Sequence, residues 1–284
     1  MSSIILVAET GADIPPELAQ RYGIRIVPMH VSFGSETRDD GTFPPEEICA
    51  YYERTGVLPK TSGSVPEDFI RVFDDIHASQ PDAQILYLAY SSVTTCSYQS
   101  AQIAAEGRDY VTSIDTKFVS AGQGVIVLKM AQLLEQYPQW GMEEAVAAAN
   151  ALIRRTRMAF IPNDMEYLRA GGRVSNAAAL CGRLLGIHPL IELLDGYLTA
   201  TKKPRGKMSV LAPRLVSRYA ESNALERDEL WLIWGLGFPD EVKAAVEKTA
   251  KNCGFQKVSW MKTGDVITTH GGPSAFGIVG FSEK

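Results

Sequence analysis

Two short, unbroken apolar runs constrain this chain most. Residues 4–8 (Ile-Ile-Leu-Val-Ala) and 85–90 (Ile-Leu-Tyr-Leu-Ala-Tyr) have no alternating polar position. A strand with one wet face alternates, whereas a strand covered on both faces does not. Both runs therefore predict strands inside a parallel sheet, which needs long crossovers between its strands. The intervening sequence supplies helices. Pro15-Pro16 opens a short one that Gly23 ends. Residues 44–54 predict a second. Phe69, Ile70, Phe73 and Ile76 recur at helical spacing behind Ser64-Val65-Pro66-Glu67, which reads as a capping box on Ser64. Residues 97–106 and 122–136 predict helices on either side of a strand at 110–114. Residues 24–33 read as one strand in which Pro28 marks an edge or bulge, and Asp39-Asp40-Gly41 is a turn. Strands alternating with helices make the first half, residues 1–155, a doubly wound parallel α/β domain.

The pattern changes after about residue 155. Residues 189–194 and 197–201 flank Asp195-Gly196, a two-residue hairpin signal. Helices at 207–222 and 240–252 enclose a strand at 230–236. Residues 266–270 and 276–281 predict two closing strands. Residues 156–284 thus predict a mixed-sheet α/β domain, so the fold class is two-domain α/β. No internal repeat and no flexible linker separates the halves.

Hydrophobic residues make up 45% of the 284 and charged residues 21%, enough apolar material for full cores, which excludes disorder. The net charge of −5 argues against a nucleic-acid surface. No window of 18 apolar residues exists, so no helix is expected to insert stably in a membrane. The N-terminus lacks the basic region of a signal peptide. Cys49, Cys96, Cys181 and Cys253 match no metal or redox spacing. The expected compartment is the cytoplasm, with the thiols acting as small hydrophobes.

Ligands of open α/β sheets bind beyond the carboxyl ends of the strands. Three hydroxyl groupings fall there: Glu9-Thr10, Thr61-Ser62-Gly63-Ser64, and Ser91-Ser92 running on through Thr94-Thr95-Cys96-Ser97 into a helix. Hydroxyls and free N–H groups at helix N-termini make a neutral anion site. Ser and Thr are also preferred N-caps, so each loop has two readings. The second half offers cations. Gly171-Gly172-Arg173 sits in an irregular segment before a helix capped by Asn176, and Lys202-Lys203-Pro204-Arg205-Gly206-Lys207 follows the hairpin. Arg173 either binds a phosphate as a fork or caps a helix or pairs with Glu166. His270 ends a predicted strand before Gly271-Gly272-Pro273-Ser274, while His30, His77 and His188 read as structural. Catalytic signatures are missing: there is no G-x-S-x-G elbow, no Walker A loop, no G-x-G-x-x-G and no H-E-x-x-H. No motif calls for a metal or cofactor.

In series, Glu9-Thr10, Val27-Pro28, Pro59-Lys60-Thr61-Ser62, Ser91-Ser92, Tyr98-Gln99-Ser100, Leu168-Arg169-Ala170-Gly171-Gly172-Arg173 and His270-Gly271-Gly272-Pro273 resemble the DegV family of bacterial fatty-acid-binding proteins. The resemblance spans nearly the whole chain. It implies a two-domain α/β protein with a long-chain fatty acid between the domains. The carboxylate would be held by hydroxyls and a histidine, here Thr61, Ser62, Ser91, Ser92 and His270. Some members present the bound acid to a separate ATP-dependent kinase that makes an acyl phosphate. In those, residues matching Arg173 and the loop 202–205 serve the head group or kinase docking. The chain departs from the family pattern at Glu9-Thr10 for Asp-Ser, at Thr94-Thr95-Cys96-Ser97 for Leu-Ser-Gly-Thr, and at Ser274 for the last residue of Gly-Pro-Gly.

The energetics suit a carrier. A sixteen-carbon tail at about 0.8 kcal/mol per buried CH₂ offers roughly 12 kcal/mol of transfer energy, of which several kcal/mol are lost in association. A head-group site need only offset carboxylate desolvation. Three functions follow: a fatty-acid-binding protein without chemistry of its own, a lipid hydrolase or acyltransferase using Ser92 or Ser62 with His270, and a regulatory module without lipid.

Overall fold

A computed structural model describes residues 3–174 and 187–283. In chain order the elements are β1 (Ile4–Glu9), α1 (Pro16–Tyr22), β2 (Arg25–Val27), β3 (His30–Phe33), β4 (Glu36–Asp39), α2 (Glu46–Thr55), β5 (Lys60–Ser62), α3 (Pro66–Ser79), β6 (Gln84–Ala89), α4 (Ser97–Ala104), β7 (Val111–Asp115), α5 (Ser120–Gln136) and α6 (Met142–Arg155). There follow β8 (Thr156–Ile161), α7 (Met165–Gly171), β9 (Leu190–Leu194), β10 (Tyr197–Lys202), α8 (Met208–Ser222), β11 (Glu229–Trp234), α9 (Asp240–Asn252), β12 (Lys257–Lys262), α10 (Asp265–Gly271) and β13 (Phe276–Phe281). Two compact units form. One holds Met1–Thr42 and Thr61–Arg154, the other Phe43–Lys60 and Arg155–Lys284.

The first unit is built on a parallel sheet in the order β2-β1-β6-β7. Val7, Ile85, Tyr87 and Ala89 point to the side where Phe69, Phe73 and Ile76 of α3 and Ala101 and Ala104 of α4 close a core. Leu6, Ala8, Leu86 and Leu88 are buried as well, so neither face of the central strands is wet, and α5 packs on β1 and β6. This covering is why the two apolar runs lack alternation. Gly124 of α5 lets the helix approach the turn after β1. A Cβ there would fall well inside contact distance of the Ala12 carbonyl oxygen.

Residues 24–33 form two strands rather than one. Pro28 has no N–H for the ladder. The chain therefore leaves the parallel sheet after β2 and enters a separate three-stranded sheet, β4-β3-β5. His30 ties that sheet to α3, with Nδ1 2.9 Å from Asp39 and Nε2 2.9 Å from Asp68.

The second unit is a mixed sheet in the order β10-β9-β8-β13-β11-β12. All its pairs are antiparallel except β11 with β12. The β9–β10 hairpin turns through Asp195 (φ 49°) and Gly196 (φ 87°), both left-handed as a type I′ turn requires. Helices α8 and α9 bury Leu211, Leu215, Val216, Val242 and Val246 against Leu230, Leu232, Phe276 and Ile278 of the sheet.

Residues 266–270 are helical, not extended. The β-branched run Val-Ile-Thr-Thr reads as a strand by propensity, but Val266, Thr268 and Thr269 are buried within α10, which packs on α7 and α2. Tertiary packing overrides the local preference. Helix α2 belongs here because its Tyr52 ring lies edge-on to Tyr167 of α7, with centroids 5.6 Å apart, and Cys49 accepts from the Tyr167 hydroxyl at 3.6 Å. Cys49, Cys96 and Cys253 are free thiols, and Cys181 lies outside the described residues. No described helix is long and apolar enough to cross a membrane.

Candidate functional site

In the first unit the chain runs from β1 out to β2 and returns to β6 on the other side of β1. The crevice between the carboxyl ends of β1 and β6 is a topological switch point, the usual ligand position in an open α/β sheet. Three loops lie at this edge of the sheet.

The first loop follows β1. Glu9 is fully buried and occupies the switch point itself. Its carboxyl accepts from the Tyr87 hydroxyl, from Gln123 Nε2 at 2.6 Å and from the Tyr90 N–H at 3.3 Å. Burial pushes its pKa up to about 7, and the hydrogen bonds only partly offset this. At the position where the resemblance implies Asp-Ser, the longer Glu9 carboxyl is folded into the interior. Thr10 Oγ1 accepts from the Met29 N–H at 3.0 Å. Beside it, Asp13 (φ 54°) and Ser120 (φ 49°) are both left-handed, and Ser120 Oγ donates to Asp13 Oδ2 at 2.5 Å.

The second loop carries Thr61, Ser62, Gly63 and Ser64. Thr61 is half-buried and Ser62 exposed. Ser64 is not the N-cap of α3. Pro66 takes the first helical position, so Val65 is the cap, and Asp68 Oδ2 accepts from the Val65 N–H at 2.9 Å. The capping pattern sits one residue later than the sequence suggests, and the Ser64 hydroxyl is left buried without a hydrogen-bond partner.

The third loop runs from Ser91 to Ser97. Its Ser91 is buried and its Ser92 exposed. Ser92 Oγ donates to Asp115 Oδ2 at 2.6 Å, and its N–H points to Oδ1 at 3.3 Å. Ser92 does not start a helix, because α4 begins at Ser97 behind Cys96. Cys96 has φ −82°, so this position needs no glycine. The second and third loops meet: the Ser64 N–H donates to Ser97 Oγ at 3.1 Å, and Gly63 packs where a Cβ would strike the hydroxyls of Thr95 and Ser97. The structure thus joins two of the hydroxyl groupings into one cluster.

The second unit places His270 in the last turn of α10. Its imidazole is enclosed, although an edge of the residue reaches solvent. Burial, with the Arg173 charge second, lowers its pKa to about 4, so it is neutral at pH 7. Gly171 makes room for the ring, since a Cβ there would collide with His270 Nδ1. The irregular segment expected around Gly171 is instead the end of α7, with Gly172 as its left-handed cap at φ 63°. Exposed Arg173 donates from Nη1 to the Gly171 carbonyl at 3.0 Å. It is not Glu166's partner, which is Arg169 at 2.9 Å. Asn176 lies outside the described residues. Ser274 is left-handed (φ 57°), a conformation that glycine adopts more readily, and donates to the Gly237 carbonyl at 2.9 Å. His188 bonds the Pro162 carbonyl at 3.1 Å. Among the described residues, no group of His, Cys, Asp and Glu is arranged to hold a metal ion.

This two-unit α/β architecture, a parallel four-stranded sheet and a mixed six-stranded one, is that of a known protein family. The family model described as "Uncharacterised protein, DegV family" matches residues 3–283, and the chain belongs to the DegV family. A DegV domain-containing protein of Caldanaerobacter subterraneus is 28% identical over the full length of both chains. Among solved structures, a DegV family protein from Thermus thermophilus, described by its fatty-acid binding, is 29% identical, with a TM-score of 0.88 over 99% of each chain. A DegV family protein from Eubacterium eligens loaded with heptadecanoic acid shares the fold, at 20% identity and a TM-score of 0.83 over 99% of this chain and 100% of that one.

Proposed function

We propose that this chain binds a long-chain fatty acid and has no chemistry of its own. The carboxylate is held by the hydroxyls of Thr61, Ser62, Ser91 and Ser92 and by His270. The carrying observation is the match to the Thermus thermophilus protein, a fatty-acid binder 29% identical over 99% of each chain. The hydroxyl cluster at the switch point supports it. Ser92 donates to Asp115, so its hydroxyl is oriented and gives up that bond to donate to an arriving carboxylate. A neutral His270 offers a carboxylate an N–H rather than a charge, which suits a site that must release its ligand. Native mass spectrometry of protein purified from cells tests the reading directly, with one bound fatty acid expected per chain. Ser92→Ala lowers fatty-acid affinity about tenfold, the worth of roughly one charge-assisted hydrogen bond, and leaves the melting temperature within a degree or two. Unchanged affinity would remove Ser92 from the site.

The finer proposal is that the bound acid is presented to an ATP-dependent kinase for acyl-phosphate formation, with Arg173 serving the phosphoryl group. Its guanidinium is exposed and, among the described residues, bonds the Gly171 carbonyl through Nη1; the other N–H groups of the fork can serve a phosphoryl group. Arg173→Ala then keeps fatty-acid affinity and loses acyl-phosphate formation with the cognate kinase. Loss of both would make Arg173 a binding or folding residue.

A further inference from the structure

The second unit carries a groove of about 650 Å³ between the end of β10 and helix α8. That volume lies within the roughly 300–1,000 Å³ of small-molecule sites. None of its lining residues belongs to the carboxylate-holding set proposed above, although Lys202 and Lys203 lie in the loop 202–205 that the family resemblance implies for the head group or kinase docking. Its floor is apolar, made by Ile161, Leu190, Leu211, Leu215 and Tyr219. Its rim is cationic, with Lys202 and Lys203 on one wall and Arg214 and Arg218 on the other. Glu221 is the single acid among the lining residues. The chain as a whole carries a net charge of −5, so this concentration of cations is local.

Arg214 and Arg218 stand four residues apart on α8 and so share one helix face. Both are exposed, and among the described residues neither guanidinium has a carboxylate partner. One guanidinium fork satisfies a carboxylate. Two forks with two ammonium groups suit a phosphate monoester, which offers three free oxygens and close to two charges. The floor side chains are recessed, at 2% to 7% exposure for Ile161, Leu190, Leu211, Leu215 and Tyr219. A surface meant to lie on a bilayer would instead raise apolar side chains above the rim. The recess suits a single chain laid along it.

We propose that this groove is a second ligand site, which takes a single-chain amphiphile with a phosphate head. The phosphate sits on Arg214 and Arg218, and the chain lies on Leu190, Leu211, Leu215 and Tyr219. The site is independent of the fatty-acid reading and is tested with and without palmitate. The probe is dodecyl phosphate below its micelle concentration, titrated calorimetrically into the full chain. One equivalent binds to palmitate-treated protein and to untreated protein alike. Arg214→Gln/Arg218→Gln weakens that binding at least tenfold while the melting temperature and palmitate binding hold, because both side chains are exposed. Dodecanol binds far more weakly than dodecyl phosphate. Four results overturn the proposal: no uptake by the wild-type protein, equal affinity in the double variant, equal affinity for dodecanol, or one-for-one displacement by palmitate. A fifth arm uses vesicles of phosphatidylglycerol. Vesicle binding without binding of monomeric dodecyl phosphate assigns the cations to a membrane and also overturns it.

Discussion

Each unit encloses a group whose charged form burial disfavours, but the two groups carry opposite chemistry. The first unit buries an acid, Glu9, whose pKa rises to about 7. The second encloses a base, His270, whose pKa falls to about 4. Desolvation is the largest cause in both cases, and it moves acids up and bases down. Burial of the same kind therefore gives the two halves opposite responses to pH. Folded Glu9 keeps its proton up to about pH 7, while the unfolded chain releases it near the ordinary 4.5. The first unit is thus most stable below pH 4.5 on this account and loses stability as pH rises to 7. Folded His270 stays neutral down to about pH 4, while the unfolded chain takes up a proton near 6.5. The second unit is most stable above pH 6.5 and loses stability as pH falls to 4.

The largest expected effect breaks the first unit without touching its charge. Gly124→Ala forces a methyl against the Ala12 carbonyl, backbone on backbone, where neither side yields easily. It destabilises by more than about 3 kcal/mol, beyond the usual overpacking range, and denaturant unfolding reads it. Next comes the acid–base pair, read by amide exchange of the β1 and β6 peptides against those of β8 and β13. Glu9→Gln abolishes the loss of protection in the first unit between pH 4.5 and 7, about 3 kcal/mol at one pKa unit per 1.36 kcal/mol. His270→Gln abolishes the loss in the second unit between pH 6.5 and 4, about 2 kcal/mol because an edge of the residue reaches solvent. Parallel pH profiles in the two wild-type units would end the comparison. The smallest effect is at Ser64, whose buried hydroxyl has no partner. Ser64→Ala raises stability by about 1 kcal/mol, seen as a higher melting temperature.

Much of this was legible in the chain. The central strands declared themselves by lacking alternation, and Asp195-Gly196 placed the hairpin because only left-handed residues turn that way. The order of the hydroxyl loops, Leu-x-x-Gly-Gly-Arg and the histidine motif pointed to the family. Other features depend on contacts between residues far apart in sequence. The β-branched stretch 266–270 became helix because α7 and α2 pack on it. Glu9 read as a polar turn residue at a strand end, yet Tyr87 and Gln123, 78 and 114 residues away, fold over it. Pro28 was visible, but that it ends one sheet and starts another depends on where β3 finds partners. Ser64 was misread because Pro66 shifts the helix start by one residue, a local cue that was available.

The excursion of residues 43–60 into the second unit has a consequence during synthesis. The strands that flank it, β4 and β5, join the first unit's three-stranded sheet with β3, and that unit is fully translated at residue 154. Helix α2, with Ile48 fully buried in the finished protein, has nothing to cover it then. Its partner Tyr167 leaves the ribosome about a hundred residues after α2, a wait of roughly 5–20 s at ordinary elongation rates, and α10 roughly doubles it. For that interval the nascent chain shows the apolar face of a short amphipathic helix to whatever chaperone or neighbour is at hand. A fragment cut at residue 154 would show it permanently. The well-behaved fragment is one in which residues 43–60 give way to a short polar linker.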